Sequence, residues 1–242
     1  MAESTVKRFY ESGLGDKLVG EENFPADIKT HLAFEAELIK KYLTQNKYNC
    51  LVEVGCMDGR LIGAAKRLGL EYLGIDIVDR YIHQANQKIA AIKSKKFKAL
   101  NCDIAKLDLG NSKYENLKSK LAVFPFNSFG NMQEPESALR AAFENGLDVL
   151  IMSYDTDNKS TAMREEYYNS CNYPGLNFSV DAKGVVFTSE DGLKTYAYSK
   201  DHLQNLLQKI GFEKIKIEKF GPLGLFAYAK VPEKQMQMFS WP

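Results

Sequence analysis

The chain has 242 residues, with 32 Lys and Arg against 31 Asp and Glu, a formal net charge of +1. Hydrophobic residues make up 45% of it, which excludes a disordered chain, and the balanced charge argues against a basic nucleic-acid binder. No run of 18 apolar residues is present, so no spanning helix is expected, and the charged start Met1–Phe9 lacks the apolar core of a secretory signal. Cys50, Cys56, Cys102 and Cys171 are widely spaced, with no close pair of the kind zinc sites use, and His31, His83 and His202 are scattered. A reduced, cytoplasmic protein without a metal site is therefore expected.

The first 45 residues read as helical, interrupted at Gly13–Gly15 and at Pro25, with Ile28, Leu32, Phe34, Ala36, Leu38, Ile39 and Leu43 near helical spacing. Cys50–Gly55 is a short apolar run ending at glycine, as in a buried parallel strand, and Asp58–Leu68 reads as a helix stopped by Gly69. Glu71–Asp76 is a second strand, Val78 to about Ser94 a second helix, and Phe97–Cys102 a third strand. Leu121–Phe126 reads as the fourth strand, Glu134–Glu144 as a helix and Asp148–Tyr154 as the fifth strand. This alternation predicts an α/β fold with a mostly parallel, doubly wound sheet whose strand C-terminal ends share one crevice.

The alternation stops after Tyr154. Leu176–Val180 and Val185–Thr188 flank Asp181–Gly184 and predict a hairpin, with a further strand at Thr195–Tyr198. Lys200–Ile210 is an amphipathic helix, and Glu213–Phe220 and Leu223–Lys230 are antiparallel strands joined at Gly221–Pro222. The division expected is an N-terminal helical cap (1–46), a main domain (47–232) with residues 156–198 inserted on the substrate side, and a tail (233–242). The lysines between Lys93 and Lys98 read as a solvated helix end, where cations suit the dipole.

The chemistry-bearing residues cluster at successive strand ends. Glu53 precedes the glycine turn of Val52–Arg60, and Gly55 lets backbone pass close to a ligand. Asp76 ends the second strand, where an acid can accept both hydroxyls of a ribose, and Asp103 comes just after the third. Such acids suit ribose, adenine and ammonium donors and disfavour a pyrophosphate, which prefers amides and cations. Alternatively, Asp76 and Asp103 only cap the helices that come after them.

Over about residues 48 to 232 the layout resembles the class I S-adenosylmethionine-dependent methyltransferases of small-molecule type. The motif acid-x-Gly-x-Gly-x-Gly is matched at Glu53, Gly55 and Gly59, with Met57 in place of the middle glycine. The antiparallel pair Glu213–Lys230 matches the family's reversed seventh strand in a seven-stranded, Rossmann-like sheet. The resemblance implies S-adenosylmethionine as cofactor, held by Glu53, Gly55, Cys56, Met57, Gly59, Asp76, Ile77, Asp103, Ile104, Phe124 and Pro125. Phe124–Met132 stands where the family places its acceptor-side motif but lacks the Asn/Asp/Ser-Pro-Pro-aromatic pattern of DNA amino-methyltransferases.

The acceptor expected is a small polar metabolite, methylated on N or O, with no nucleic acid or membrane as partner; a homodimer is compatible with this reading. Phe126, Asn127, Asn131, His31 and Tyr198 are the substrate-side candidates, and Tyr10, Asn127 and Tyr154 the catalytic ones. Asp155 is a further candidate base, and Tyr167, Tyr168, Tyr173 and Tyr196 are candidates to line a pocket. Two other readings stay open: cleavage or cyclisation of the donor's aminobutyrate chain with release of methylthioadenosine, and a non-catalytic scaffold on the same fold.

Overall fold

A computed structural model describes residues 5–110 and 119–233; of the expected tail, only Glu233 lies among them. The chain begins with helix α1 (Thr5–Glu11), two single 3-10 turns at Leu14–Leu18 and Glu21–Asn23, and the long helix α2 (Ala26–Gln45). Five strands come next, β1 (Cys50–Val54), β2 (Glu71–Asp76), β3 (Phe97–Asn101), β4 (Lys120–Phe124) and β5 (Asp148–Tyr154). Between them run α3 (Ile62–Arg67), α4 (Asp79–Ile92) and α5 (Pro135–Glu144). After β5 come α6 (Asn158–Ser170), strands β6 (Asn177–Asp181), β7 (Gly184–Thr188) and β8 (Lys194–Tyr198), helix α7 (Lys200–Ile210), and β9 (Glu213–Phe220) and β10 (Gly224–Lys230).

Seven strands form one sheet in the order β3-β2-β1-β4-β5-β10-β9. Strands β1 to β5 pair in parallel, and β10 lies antiparallel between β5 and β9. The strand order reverses between β1 and β4, which opens the crevice of a doubly wound fold beyond their C-terminal ends. Successive residues of β1 serve opposite faces. Cys50, Val52 and Val54 pack with Leu139 of α5 and Leu203 and Leu207 of α7, whereas Leu51 packs with Ile39 and Leu43 of α2 and Ala65 of α3. Each Leu or Val buried in this way stabilises by about 1.5–3 kcal/mol.

The expected hairpin is present as β6–β7, and β8 extends it to a separate three-stranded antiparallel sheet. Helix α6, just before it, escapes the sequence pattern because its inward face is Ser160, Thr161, Arg164, Tyr167 and Tyr168, a buried face that is mostly polar. Its N-terminus is fixed by a cap, Asp157 accepting from the Ser160 N–H at 2.7 Å. Two other expectations need correction. The helix expected from Asp58 starts at Ile62, because Met57 (φ 48°) and Gly59 (φ 85°) hold the preceding residues in a left-handed loop. The inward stripe of α2 is Ile28, His31, Glu35, Ile39 and Tyr42, so Phe34, 53% exposed, and Ala36 face outward.

Candidate active site

The loop after β1 is built from its backbone outward. Gly55 sits at φ 71° with its N–H on the Ile75 carbonyl at 2.9 Å, and a Cβ there would come within 2.9 Å of the Ser128 Cβ. Met57, in the left-handed region, donates its N–H to Asp76 Oδ2 at 2.9 Å. Beneath the loop, fully buried Glu53 accepts the Leu61 N–H at 3.2 and 3.1 Å and the Tyr72 hydroxyl at 2.6 Å. Glu53 thus fixes the loop from below.

Burial pushes the Glu53 carboxyl up to about 7, partly offset by the Tyr72 and Leu61 hydrogen bonds. Folding therefore takes up a proton between the ordinary carboxyl value and about 7, and this residue's contribution to stability falls as pH rises through that window. In Glu53→Gln that dependence disappears. The difference in unfolding free energy, variant minus parent, is expected to climb by about 1.4 kcal/mol per pH unit across the window in denaturant titrations. A flat difference contradicts the assignment.

The crevice at the strand ends is a single cavity of about 780 Å³. Asp76, 8% exposed, accepts from the Met57 N–H with one oxygen and from the Val78 N–H with the other, each at 2.9 Å. The Ile77 N–H acts on it too, which takes a further share of a carboxylate's roughly four acceptor positions. Asp103, exposed at the end of β3, accepts from the Ala105 N–H at 3.0 Å. Both acids therefore cap the backbone just beyond their strands and also line the cavity; Ile77 and Ile104 line it as well.

The N-terminal segment contributes Val6, Lys7, Tyr10, Leu18 and Val19 to the cavity wall. Tyr10 lies close enough to Asp76, Tyr168 and Asn131 for all three to act on its phenol, which burial holds well above its ordinary pKa. A Cβ on Gly15 would sit 2.0 Å from the Tyr10 ring, so only glycine leaves room for it. Arg80 binds the Tyr10 carbonyl and Asp16 at 2.7 Å each, Tyr81 bonds to Asp16, and the Tyr167 and Tyr173 hydroxyls donate to the Leu18 and Leu14 carbonyls. Buried Asn131 Oδ1 has no partner among the described residues.

On the other side of the switch point, Phe126 (φ 46°) and Asn127 (φ 58°) are two consecutive non-glycine residues in the left-handed region. Such strain persists only where neighbours over-determine it. Glu35 of α2, fully buried, accepts the Phe126 N–H at 2.9 Å and Arg60 Nη2 at 3.0 Å, and the Asn127 N–H bonds to the Met152 carbonyl at 3.0 Å. The Arg60 guanidinium lies 5.1 Å from the Phe126 ring centroid. Burial pushes the Glu35 carboxyl up, and Arg60 and the Phe126 N–H pull it back. Sequence reasoning missed Glu35 and Arg60; the signal was a carboxylate on the apolar stripe of α2, in step with Ile28 and Ile39.

Of the predicted site residues, Tyr10, Gly55, Met57, Asp76, Ile77, Asp103, Ile104, Pro125, Phe126, Asn127, Asn131 and Tyr154 meet in the cavity wall. Asn127 contributes less than expected, because its amide is spent on Thr195 Oγ1, the Tyr196 carbonyl and the Ser153 hydroxyl at 3.0, 2.9 and 2.8 Å. The structure places six others off the cavity. Glu53 lies beneath the loop, Cys56 turns inward beside Gly74, and Gly59 packs on Ile62. Phe124 sits edge-on to Phe129, and Tyr198 packs between Phe129 and His202. His31 is buried between Tyr154 and Phe220, and burial, with the nearby Arg60 charge, lowers it to about 3, so it stays neutral. Asp155 is drawn to Lys219, away from the cavity. Tyr167 and Tyr168 line the cavity from α6, whereas Tyr173 and Tyr196 do not. No group of three or more His, Cys, Asp or Glu among the described residues is placed to hold a metal, and no helix there is long and apolar enough to cross a membrane.

The sheet order, the reversed β10 and a crevice walled by Asp76 and Asp103 together define the fold of the class I S-adenosylmethionine-dependent methyltransferases. The chain superimposes on magnesium protoporphyrin IX methyltransferase from Synechocystis PCC 6803 with bound S-adenosylhomocysteine at a TM-score of 0.62, with 13% identity over 94% of this chain and 98% of that one. The CcbJ methyltransferase from Streptomyces caelestis gives 0.62, with 15% identity over 95% and 100%. The 1,6-didemethyltoxoflavin-N1-methyltransferase from Burkholderia thailandensis, with bound 1,6-didemethyltoxoflavin and S-adenosylhomocysteine, gives 0.58, with 14% identity over 96% and 93%. At these identities the likeness is one of fold. No protein-family model and no curated protein matches the sequence.

Proposed function

We propose that the protein transfers the methyl group of S-adenosylmethionine to a nitrogen or oxygen of a small polar metabolite. The observation that carries this reading is the pairing of Asp76 and Asp103 at adjacent strand ends, facing one cavity of about 780 Å³ at the switch point. Pockets for small molecules span roughly 300–1,000 Å³, so donor and a small acceptor fit together. The residues suit the donor: the Asp76 carboxylate on the cavity wall, the exposed Asp103 carboxylate, apolar Ile77 and Ile104, and the unpartnered Asn131 Oδ1 for a polar group. Structural neighbours carrying S-adenosylhomocysteine support it.

When bound, S-adenosylmethionine supplies an electrophilic methyl on a sulfonium. The chain's own residues supply position. Asp76 and Asp103 hold the nucleoside side, and Tyr10, Leu18 and Val19 wall the cavity beside them. The Glu35 clasp sets Phe126 at the acceptor side, and Tyr154 and Tyr167 remain neutral phenols, since burial raises both. Aromatic faces there can also stabilise a cationic methyl donor.

Calorimetric titration with S-adenosylhomocysteine tests the reading: one site is expected, and Asp103→Ala should weaken it about tenfold, one charge-assisted hydrogen bond of about 1.5 kcal/mol. Absence of binding overturns the donor site. Release of methylthioadenosine from the donor alone, detected by mass spectrometry, would replace transfer by cleavage.

A further inference from the structure

The tyrosine-lined side of the cavity has an unpaired cation behind it. Arg164 of α6 is fully buried, with the guanidinium 5.0 Å from the Tyr154 ring centroid, 4.8 Å from that of Phe187 and 5.6 Å from that of Tyr168. Its hydrogen bonds are long and go to neutral groups: the Val185 carbonyl at 3.4 Å, the Thr195 carbonyl at 3.3 Å and the Tyr168 hydroxyl at 3.5 Å. Its Nε has no partner, and among the described residues no carboxylate pairs with it. A buried charge is costly unless paired, and three aromatic faces offset only part of that cost.

Tyr154 and Tyr168, which shield Arg164, both line the cavity, as does Arg60. Arg60 is already engaged by Glu35 at 3.0 Å. Arg164, Glu35 and Arg60 are among the charged groups that act on the Tyr154 phenol. Arg164 is thus a cation without a carboxylate partner among the described residues, behind this side of the cavity, with the Tyr154 and Tyr168 hydroxyls in front of it. A ligand with a single negative charge completes that arrangement. A neutral or cationic one leaves it open.

We infer that the acceptor is a small carboxylate, whose carboxyl group sits against Tyr154, Tyr168 and Arg60, with Arg164 as a positioning residue behind the two tyrosines. This rests on the methyl-transfer reading above for the location of the acceptor. A monoanion is favoured over a phosphate dianion because the unpaired charge is one. The match also explains why a cation is kept in a helix face that an apolar residue would fill at less cost.

The test uses the full chain saturated with S-adenosylhomocysteine, so that failure to take up that product is a failure of the donor site and not of this inference. Benzoate, 4-hydroxybenzoate and indole-3-acetate are titrated against their carboxamides. The acids are expected to bind at least about tenfold tighter than the matched amides. Arg164→Met is expected to bring that ratio close to one while Arg164→Lys keeps part of it; a merely structural arginine would alter folding but not the acid-to-amide ratio. Should Arg164→Met not fold, Tyr168→Phe provides the second reading, with the ratio reduced at least threefold. Equal binding of acids and amides, binding of neither, or a ratio unchanged in the folded variants overturns the inference.

Discussion

Alanine at Asp76 is expected to abolish most donor binding, weakening S-adenosylhomocysteine by at least about 100-fold. This carboxylate lines the cavity, and a hydrogen bond to a charged group contributes about 1.5–3 kcal/mol. Two such bonds to a ribose diol correspond to about 3–6 kcal/mol, roughly 150-fold or more. The same change frees the Met57 and Val78 N–H groups, which the carboxylate holds at 2.9 Å. Met57 already occupies the left-handed region at φ 48°, so its loop loses the bond that opposes relaxation. In Asp76→Asn one oxygen still accepts a backbone N–H while the charge is gone. Because the amide NH2 then faces the other backbone N–H, an intermediate loss of both affinity and stability, smaller than that of Asp76→Ala, is expected for it, read by calorimetry and by thermal unfolding.

Glu35→Ala is expected to be the most destabilising of the site changes, by about 3 kcal/mol in denaturant unfolding. Breaking a buried ion pair by removing one partner costs about 3–5 kcal/mol, and the lower figure applies because the Arg60 side chain is 31% exposed and can turn toward solvent. The Phe126 N–H, bonded to Glu35 at 2.9 Å, would be left without its acceptor beside two left-handed residues. Relaxation of that turn moves Phe126, so acceptor KM should rise more than donor Kd. Glu35→Gln retains an acceptor for the Phe126 N–H and should recover at least about 1 kcal/mol of the loss. Equal destabilisation by both variants would show that the charge, and not the backbone bond, matters.

The fold was legible where apolar runs end on glycine or acid. Cys50–Gly55 and Glu71–Asp76 announce buried parallel strands because their interiors carry no charge that a sheet face must solvate, apart from Glu53. That exception reads as a ligand contact in the sequence, yet a carboxylate one residue before a strand's end points under the loop, and Glu53 grips Leu61 and Tyr72 there. Asp76 and Asp103 were readable as acids at the point where strands open into a crevice, and both line it.

The polar interior escaped detection. Helix α6 buries Ser160, Thr161 and Arg164 with two tyrosines, and α2 buries His31 and Glu35, so a search for apolar periodicity passes over the faces that shape the cavity. Such faces are stabilised by partners distant in sequence, Glu35 by Phe126 and Tyr167 by the Leu18 carbonyl, and only the folded chain brings these together. The aromatic insertion stands out in the sequence as a region, but its cavity residues are Tyr167 and Tyr168 of the helix, not the tyrosines of the strands. Tyr198 illustrates the difference: its ring packs against Phe129 and His202 in the core.

The proposed donor site puts the ribose of S-adenosylmethionine on Asp76 in this cavity. A crystal structure of the protein grown with S-adenosylhomocysteine tests it most directly. The ribose hydroxyls are expected within hydrogen-bond distance of Asp76, the adenine between Ile77 and Ile104 with its amine toward Asp103, and the sulfur directed at Phe126 and Tyr154. A nucleoside bound elsewhere, or one that leaves Asp76 uncontacted within this cavity, would contradict it.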